Sequence, residues 1–287
     1  MRRKRSELHW SPGAASLALA AGAIVSACAS IRSAPAETAL RVMSYNIRSG
    51  NGNLDSTAAA IRAAAPDIVA LQEVDVHWAA RSDFVDQAAS LGARLGMTVR
   101  FARIYQLPPL ADSMPPREFG VALLSRFPIV RWSNDSLTRL STQEQNPEPR
   151  RMPGLLDATI DVNGTLVRVL DTHLDYRSDP RVRDAQISEM LNYIGASTMP
   201  TILCGDMNAK PAAPELQPLL HRLRDSWRPA PDSGFTYPAE QPSERIDYVL
   251  VTSDFRVRAT RVPPTMASDH RPVVADLTLQ PAAGLRR

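Results

Sequence analysis

The feature that most restricts the fold is the alternation of short apolar segments with a few amphipathic ones. The apolar segments have the length of β-strands, and one adjacent pair flanks Asn163-Gly164, a strong signal for a two-residue hairpin turn. The amphipathic segments predict helices over residues 54–64, 84–95 and 182–194. Buried strands that pair with their sequence neighbours predict an α/β fold in which two stacked sheets lie inside flanking helices.

The predicted strands share apolar character and end at turn or polar residues. They cover residues 40–47, 67–74, 119–125, 129–132, 155–162, 165–173, 201–204, 247–252, 255–262 and 273–279. Residues 106–117 and 141–153 are predicted to be loops, and residues 214–223 a short helix. The strands at 119–125 and 129–132 are expected to be joined by a short turn.

The chain of 287 residues is 44% hydrophobic, enough for one large core. Its composition does not change after residue 40 in a way that indicates a second domain. We therefore predict one domain over residues 40–280 and a C-terminal tail over residues 281–287.

The N-terminus has the pattern of a secretory signal peptide, which we place at residues 1–27. Basic residues at positions 2–5 precede an uncharged segment, residues 14–27, which is short for a membrane span of roughly 20 residues. Val25-Ser26-Ala27-Cys28 resembles a bacterial lipobox, which implies cleavage before Cys28 and a lipid on its sulfur. Simple cleavage near residues 34–36 and an uncleaved anchor are the alternatives. Residues 28–39 are predicted to be a tether, so the domain is expected at the cell envelope, on the periplasmic face or outside.

The formal charge of +3 belongs to the predicted signal peptide. Residues 1–27 contain four basic residues and one acidic residue, so a chain that begins at Cys28 has no net charge. Such a domain lacks the overall positive field that nonspecific DNA binding uses. Cys204 lies in an apolar segment and is expected to be a buried, structural residue.

Polar residues recur where these apolar strands end. They are Asn46, Glu73, His173, Asp206, Asn208, Asp247, Asp269 and His270. Carboxylates and amides favour Mg²⁺ or Mn²⁺, whereas the spacing of His and Cys does not favour zinc. On extended chain, Asp206 and Asn208 would point the same way and hold a water beside an oxyanion; an ordinary turn is the alternative.

Six segments occur in the order found in the endonuclease/exonuclease/phosphatase (DNase I-like) superfamily, which the chain resembles from about residue 40 to residue 279. They are Met43-Ser44-Tyr45-Asn46-Ile47, Leu71-Gln72-Glu73-Val74, Asp171-Thr172-His173-Leu174, Gly205-Asp206-Met207-Asn208, Arg245-Ile246-Asp247-Tyr248 and Ser268-Asp269-His270-Arg271-Pro272. The resemblance implies a four-layer αββα sandwich of two mixed, mostly antiparallel sheets, and a metal-dependent phosphoester hydrolase.

The same resemblance implies roles for three metal-site residues. Glu73 would be the principal ligand of Mg²⁺, or of Mn²⁺ in its place. Asn46 would lie beside the ion and position a carboxylate or the phosphate. Asp269 would bind the metal directly or through water.

It also implies roles for five catalytic residues. Asp206 would orient and deprotonate the attacking water, and Asn208 would donate a hydrogen bond to a phosphate oxygen. His270 would pair with the phosphate, with its tautomer fixed by Asp247. His173 would donate to the phosphate or protonate the leaving oxygen.

Three positions are less well defined by the resemblance. Val121 stands where relatives often have an asparagine, so a phosphate contact made there is absent. Glu118 is expected either to orient His173 or to be a solvated acid. Arg81 is expected either to clamp the substrate or to form a salt bridge at a helix N-terminus.

The sequence thus predicts a metal-dependent phosphodiesterase that works by in-line attack of water. The neutral, tethered domain favours a lipid head group or a small phosphodiester as substrate, and we expect a monomer. The alternatives are an extracytoplasmic nuclease and a catalytically silent binding module on the same fold.

Overall fold

Strands form most of the structure. The computed structural model describes Glu7, His9, residues 37–228 and residues 233–280. Within these ranges the strands are β1 (Thr38–Asn46), β2 (Ile68–Val76), β3 (Thr98–Leu107), β4 (Arg117–Ser125), β5 (Ile129–Arg139), β6 (Arg150–Val162), β7 (Thr165–His173), β8 (Thr201–Asp206), β9 (Arg224–Asp225), β10 (Asp247–Val251), β11 (Phe255–Arg261) and β12 (Val273–Leu279). The α-helices are α1 (Leu54–Ala64), α2 (Gln87–Leu95), α3 (Arg181–Ile194) and α4 (Gln217–Arg222).

Three 3₁₀ turns complete the regular structure of these ranges, at Arg48–Gly52, Ala80–Ser82 and Pro214–Leu216. The predicted signal peptide, the lipidated Cys28, most of the tether and the tail at residues 281–287 lie outside the described residues. Among the described helices, none combines the length and apolar character that a membrane crossing requires.

The strands form two six-stranded sheets. The order is β11-β12-β1-β2-β4-β3 in the first sheet and β5-β6-β7-β8-β10-β9 in the second. Each sheet contains one parallel pair, β1 with β2 and β7 with β8, and its other pairs are antiparallel. The prediction of two mixed, mostly antiparallel sheets is confirmed.

Three apolar layers hold the sandwich together. Val42, Val169 and Val249 belong to the layer between the two sheets. Ile61 of α1 and Leu91 of α2 pack on the outer face of the first sheet. The outer face of the second sheet is covered by α3 and α4, through residues such as Met190 and Leu219. Each sheet is therefore apolar on both faces, which explains the nearly continuous apolar strands of the sequence.

The two parallel pairs bring one edge of each sheet to a common rim. A parallel pair needs a crossover connection, and α1 and α3 supply it for β1–β2 and β7–β8. The carboxyl ends of the parallel strands therefore lie side by side. β10 and β12 run antiparallel to β8 and β1, so residues at their amino ends reach the same rim.

Several element boundaries differ from the sequence predictions. β3 was not predicted, because a bulge between Arg103 and Tyr105 interrupts its alternation. β5 continues well past residue 132, since an edge strand tolerates the polar residues found there. β4 and β5, which were expected to be neighbours, belong to different sheets. α2 starts at Gln87 rather than at residue 84, because the Asp86 side chain caps it.

Candidate active site

The eight polar residues singled out in the sequence lie at the rim. Asn46, His173 and Asp206 are the last residues of β1, β7 and β8, and Asp247 is the first residue of β10. Glu73 lies within β2. Asn208, Asp269 and His270 follow or precede strands at the same edge. The crossover topology, rather than closeness in sequence, brings these residues together.

Asn46 connects the two sheets through its carboxamide. Its Nδ2 donates to Glu73 Oε1 of the first sheet and to Asp206 Oδ2 of the second, both at 3.0 Å. Its Oδ1 accepts from the backbone N–H of Arg48 at 3.0 Å. Because the side chain of Asn46 is buried and used at both ends, its orientation is well defined. It holds two carboxylates in place within hydrogen-bond distance of one amide.

Glu73 is directed to the rim by a distortion of β2. Its φ is +55°, in the left-handed region, and the pairing of β2 with β4 shifts register between Leu71 and Val74. A bulge of this kind turns a side chain out of its regular position. A non-glycine residue in this conformation costs about 1–3 kcal/mol and persists only where the surrounding structure enforces it. The strain lies at the residue for which the family resemblance implies the role of principal metal ligand.

Asp206 lies within reach of both imidazoles. The Nε2 atoms of His173 and His270 are 3.6 Å and 3.7 Å from Asp206 Oδ2. Burial raises the pKa of Asp206, and repulsion from Asp247 raises it further, against the opposite effect of the two histidines. The raised pKa makes the carboxylate a stronger base than an exposed aspartate.

His270 is held by Asp247 on its other ring nitrogen. Nδ1 of His270 lies 2.9 Å from Asp247 Oδ2. Burial lowers the pKa of His270, but the carboxylates of Asp247, Asp206 and Asp269 outweigh it and raise the pKa to about 10. The ring of Tyr237 lies 4.8 Å from the imidazole and covers it. His270 is therefore a fixed, cationic imidazole next to Asp206.

Asn208 differs from the extended geometry expected for the Asp206–Asn208 pair. Its φ is +47°, so the chain turns after β8. Its N–H donates to Asp206 Oδ1 at 2.9 Å, and its Nδ2 donates to the Leu174 carbonyl at 3.1 Å. The turn arises because the Asp206 side chain accepts a hydrogen bond two residues on, as in an Asx turn. One Nδ2 proton of Asn208 is used by Leu174, and the amide carries a second.

Gly205 makes the close contact of β7 and β8 at this point. A Cβ atom there would lie 2.3 Å from the carbonyl oxygen of Thr172, so no other residue fits without movement. The Gly205 N–H donates to Ser44 Oγ of the first sheet at 3.1 Å. The glycine thereby fixes the position of Asp206, the next residue in the chain.

Asp269 and His270 are tied to β1 by Ser268. Ser268 Oγ donates to the Asn46 carbonyl at 2.8 Å, and the His270 N–H donates to Ser268 Oγ at 3.2 Å. Asp269 forms an ion pair with Arg48, whose Nε lies 3.4 Å from Oδ2. Ser268 and Arg48 were not singled out from the sequence, because a serine and an arginine carry no distinctive spacing there.

The donor set of the rim fits a divalent cation. The carboxylates of Glu73, Asp206 and Asp247 are linked there through Asn46 and His270, and buried Asp247 Oδ1 has no partner among the described residues. Single ligand atoms of Asp206, Asp247 and His270 lie within 4.8 Å of one another. Glu73 is joined to this group through Asn46, whose Nδ2 donates to Glu73 Oε1 and to Asp206 Oδ2.

Arg81 and Glu118, whose roles the sequence left undecided, each form an ion pair with a charged side chain. Arg81 forms a bidentate ion pair with the buried carboxylate of Asp75, at 2.9 and 2.8 Å, so its salt bridge is to strand β2 rather than to a helix end. Glu118 lies in β4 and pairs with Arg103 at 3.4 Å. Among the described contacts, none joins Glu118 to His173.

Arg139 is a buried residue of the rim that the sequence did not reveal. It lies at the end of β5 and donates to the carbonyls of His173 and Gly154, at 2.7 and 3.0 Å, and to Thr172 Oγ1 at 3.3 Å. Burial lowers its pKa to about 10, so it stays cationic at neutral pH. It was missed because this part of β5 was not predicted to be a strand.

The sequence and fold were compared with those of known proteins. The model of the Endonuclease/Exonuclease/phosphatase family matches residues 43–270. An endonuclease/exonuclease/phosphatase from Beutenbergia cavernae is similar at 30% identity, with a TM-score of 0.69, over 85% of this chain and 72% of that chain. No protein with a curated description matches the sequence.

Two further structures share the fold at lower identity. A mannosyl-6-phosphatase from Bacteroides thetaiotaomicron is 19% identical, with a TM-score of 0.61, over 83% of this chain and 99% of that one. The human Nocturnin catalytic domain with bound sulfate is 22% identical, with a TM-score of 0.62, over 85% and 98%. The match to the family model covers most of the chain and includes all eight rim residues. The chain therefore belongs to the endonuclease/exonuclease/phosphatase family.

Proposed function

We propose that the chain is a divalent-metal-dependent phosphodiesterase that hydrolyses a small phosphoester by in-line attack of water. Endonucleases, exonucleases and phosphatases all cleave phosphoester bonds, so membership of the family supports this class of reaction. The observation that carries the proposal is the position of Asp206, which contacts Asn46 and lies within 3.7 Å of both imidazoles. A base beside two proton-carrying groups is what hydrolysis of a phosphoester requires.

The proposed roles follow from these contacts. Asp206 removes a proton from water as the water oxygen attacks phosphorus. His270, held by Asp247, places its positive charge next to the phosphoryl oxygens, and Asn208 donates to one of them. His173 gives a proton to the leaving oxygen when its bond to phosphorus breaks. The products are an alcohol and a phosphomonoester. The proton gained by Asp206 passes to solvent and His173 takes one up from solvent, so both groups return to their starting states.

Glu73, Asn46 and Asp269 would hold the metal, with Mg²⁺ the better match to oxygen ligands and Mn²⁺ an alternative. When bound, the ion supplies Lewis-acid polarisation of the phosphoryl group. The left-handed conformation of Glu73 supports this role, because strain of this kind clusters at functional residues.

We place the substrate at the cell envelope, as a lipid head group or a small phosphodiester, and the domain there as a lipid-anchored monomer. The signal-peptide pattern, Cys28 in a lipobox-like sequence and the neutral charge after residue 27 support this location. Mass spectrometry of Cys28 tests for the lipid, and gel filtration tests the monomer.

The reaction is tested by a substrate panel with Mg²⁺ and with a chelator. The panel contains glycerophosphodiesters, phospholipid, sphingomyelin and plasmid DNA. Asp206→Asn should reduce kcat by roughly 10²–10⁴-fold, the usual contribution of a general base. Glu37→Gln, at the opposite end of β1, is the matched control and should keep wild-type activity. Cleavage of DNA without turnover of the other substrates would contradict the proposed lipid or small-phosphodiester substrate. The absence of any turnover would contradict the proposal that the chain is a phosphodiesterase.

A further inference from the structure

A cavity opens beside the rim and shares two residues with it. Its volume is about 190 Å³, and Glu73 and His173 form part of its wall. This is the space of roughly six water molecules at about 30 Å³ each, enough for a compact substituent. The aromatic rings of Tyr105 and Phe119, 6.0 Å apart, line another side. A phosphoester bound at the rim would therefore extend its substituent into this cavity.

Arg139 also lines the cavity, and it differs from other buried arginines of the chain. Its three hydrogen-bond partners are neutral oxygens, and its Nε has no partner among the described residues. In contrast, Arg183 pairs with Glu215 and Arg168 pairs with Asp157. A buried cation without a counterion is costly, and an anion nearby removes much of that cost.

The carboxylates near Arg139 do not serve as its counterion. Asp175 lines the same cavity, but its Oδ2 lies 2.5 Å from Nη1 of Arg177, so its charge is already paired. Glu189 is bound by the Thr138 hydroxyl and N–H and by Arg151. The positive charge of Arg139 therefore faces a cavity whose other charged groups belong to the rim or are paired.

Gln186 of α3 adds a second unused donor. Its Oε1 accepts from the Asp175 N–H at 3.0 Å, which fixes the side chain, while Nε2 has no partner. Gln186 is fully buried and lines the cavity. Gly154 makes room on the other side, because a Cβ there would lie 3.0 Å from Arg139 Nη2 and 2.4 Å from Ile104. The residues around the cavity thus include one cation and two buried N–H groups without partners among the described residues, with no free acid apart from Glu73 of the rim.

We propose that this cavity binds an oxyanion on the organic part of the substrate, through Arg139 and Gln186, and so selects phosphodiesters that carry a carboxylate or a second phosphate. The inference rests on the proposed function, since it names the substrate of the same site. The shared chemistry is a compact oxyanion next to the scissile phosphate.

The test compares substrates that differ by one oxyanion. Glycerophosphoserine and glycerophosphoethanolamine differ by a carboxylate; glycerophosphoinositol with and without a ring phosphate differ by a phosphate. With Mg²⁺, wild type should prefer the member with the additional oxyanion in at least one pair by about tenfold in kcat/KM, as expected for one hydrogen bond to a charged group. The pair that shows the preference identifies the oxyanion. Equal rates within about twofold for both pairs overturn the inference, whereas no turnover of any substrate instead overturns the proposed function.

A variant tests the residues. Arg139→Met loses three buried hydrogen bonds and is at risk of not folding, so Gln186→Glu is the informative change. It keeps the acceptor for the Asp175 N–H and places a carboxylate in the cavity, which should abolish the tenfold preference. Gln280→Glu, exposed beyond the far end of β12, is the matched control and should keep the preference. A folded Gln186→Glu protein with unchanged preference would exclude Gln186 and this cavity from selection.

Discussion

At the scale of single residues, Asp171 is unusual because its carboxyl group is completely buried. It lies between the sheets, fully shielded from solvent, and accepts from Gln72 Nε2 at 2.7 Å. Its other oxygen has no partner among the described residues. Burial raises the pKa of Asp171 well above its ordinary value, and the hydrogen bonds to it do not compensate. The acid is therefore protonated in the folded protein at a pH where the unfolded chain has lost the proton.

Asp171 should make the protein less stable as the pH rises. Above the unfolded pKa, near 4, the unfolded chain releases the proton while the folded protein retains it, so folding becomes less favourable until the folded pKa is reached. Asp171→Asn removes this contribution. In urea unfolding, the variant should gain free energy of unfolding relative to wild type as the pH rises above about 4. Asp112→Asn, on an exposed loop, should show no such trend; a wild-type-like pH dependence of Asp171→Asn would contradict the argument.

The backbone at site residues was the part that the sequence did not reveal. Glu73 and Asn208 were recognised as site residues from their positions at strand ends and from the family resemblance. Their backbone conformation was not predicted, since both have positive φ. Positive φ is rare for such residues, and the local pattern favoured extended chain. The bulge that turns Glu73 depends on pairing with β4, because its flanking residues Leu71 and Val74 pair with Ala122 and Gly120, which are distant in sequence and give no local signal.

At the scale of elements, the ends of α1 and α2 show how one conformation is met by two residue types. α1 ends at Ala65 with φ of +48°, and α2 ends at Gly96 with φ of +63°. The left-handed end costs glycine little and alanine about 1 kcal/mol. α1 is thus capped by a residue poorly suited to its conformation.

Ala65→Gly should therefore raise the free energy of unfolding by about 0.5–1 kcal/mol, and Gly96→Ala should lower it by about 1 kcal/mol. A Cβ at Gly96 meets no atom within 4 Å, so its effect reports backbone conformation alone. Denaturant unfolding measures both changes. Destabilisation by Ala65→Gly would show that chain entropy, rather than the left-handed cap, dominates at that position.

The elements were predicted well where local chemistry was strong. The bounds of α1 and β12 agree with the sequence, and the β6–β7 hairpin turns at Asn163-Gly164, both with positive φ as this turn requires. β3 and the second half of β5 were missed, because edge strands and bulges carry polar residues that resemble loops. Which sheet β4 and β5 each join depends on long-range pairing, so the local sequence pattern does not predict it.

At the scale of the whole molecule, the rim exists only where the two sheets meet. Asn46 links Glu73 of one sheet to Asp206 of the other, and Ser44 accepts from Gly205 across the same interface. Carboxylates from both sheets therefore repel one another across the rim, and the positive charges of Arg48 and His270 oppose this repulsion. A cation bound there relieves the repulsion only in the folded state.

Mg²⁺ should therefore stabilise the folded protein. Binding at 100 times Kd contributes about 2.7 kcal/mol, which corresponds to a rise of about 5–10 °C in Tm for a domain of this size. Glu73→Gln should lose most of this shift, while Glu37→Gln should retain it. Thermal melts with Mg²⁺ and with a chelator give the comparison. An equal shift in Glu73→Gln would place the ion elsewhere on the protein.

The position of β12 has a consequence for when activity can arise. β12 is the last strand among the residues that the structure describes, but in its sheet it lies between β11 and β1. The residues just before it, Asp269 and His270, complete the rim that Asn46 begins. A ribosome that has made the domain only as far as β11 has thus made a sheet that lacks the strand between β11 and β1, and a site that lacks the imidazole of His270. Hydrolysis begins only when synthesis of the domain has ended, so a growing chain is not yet an enzyme.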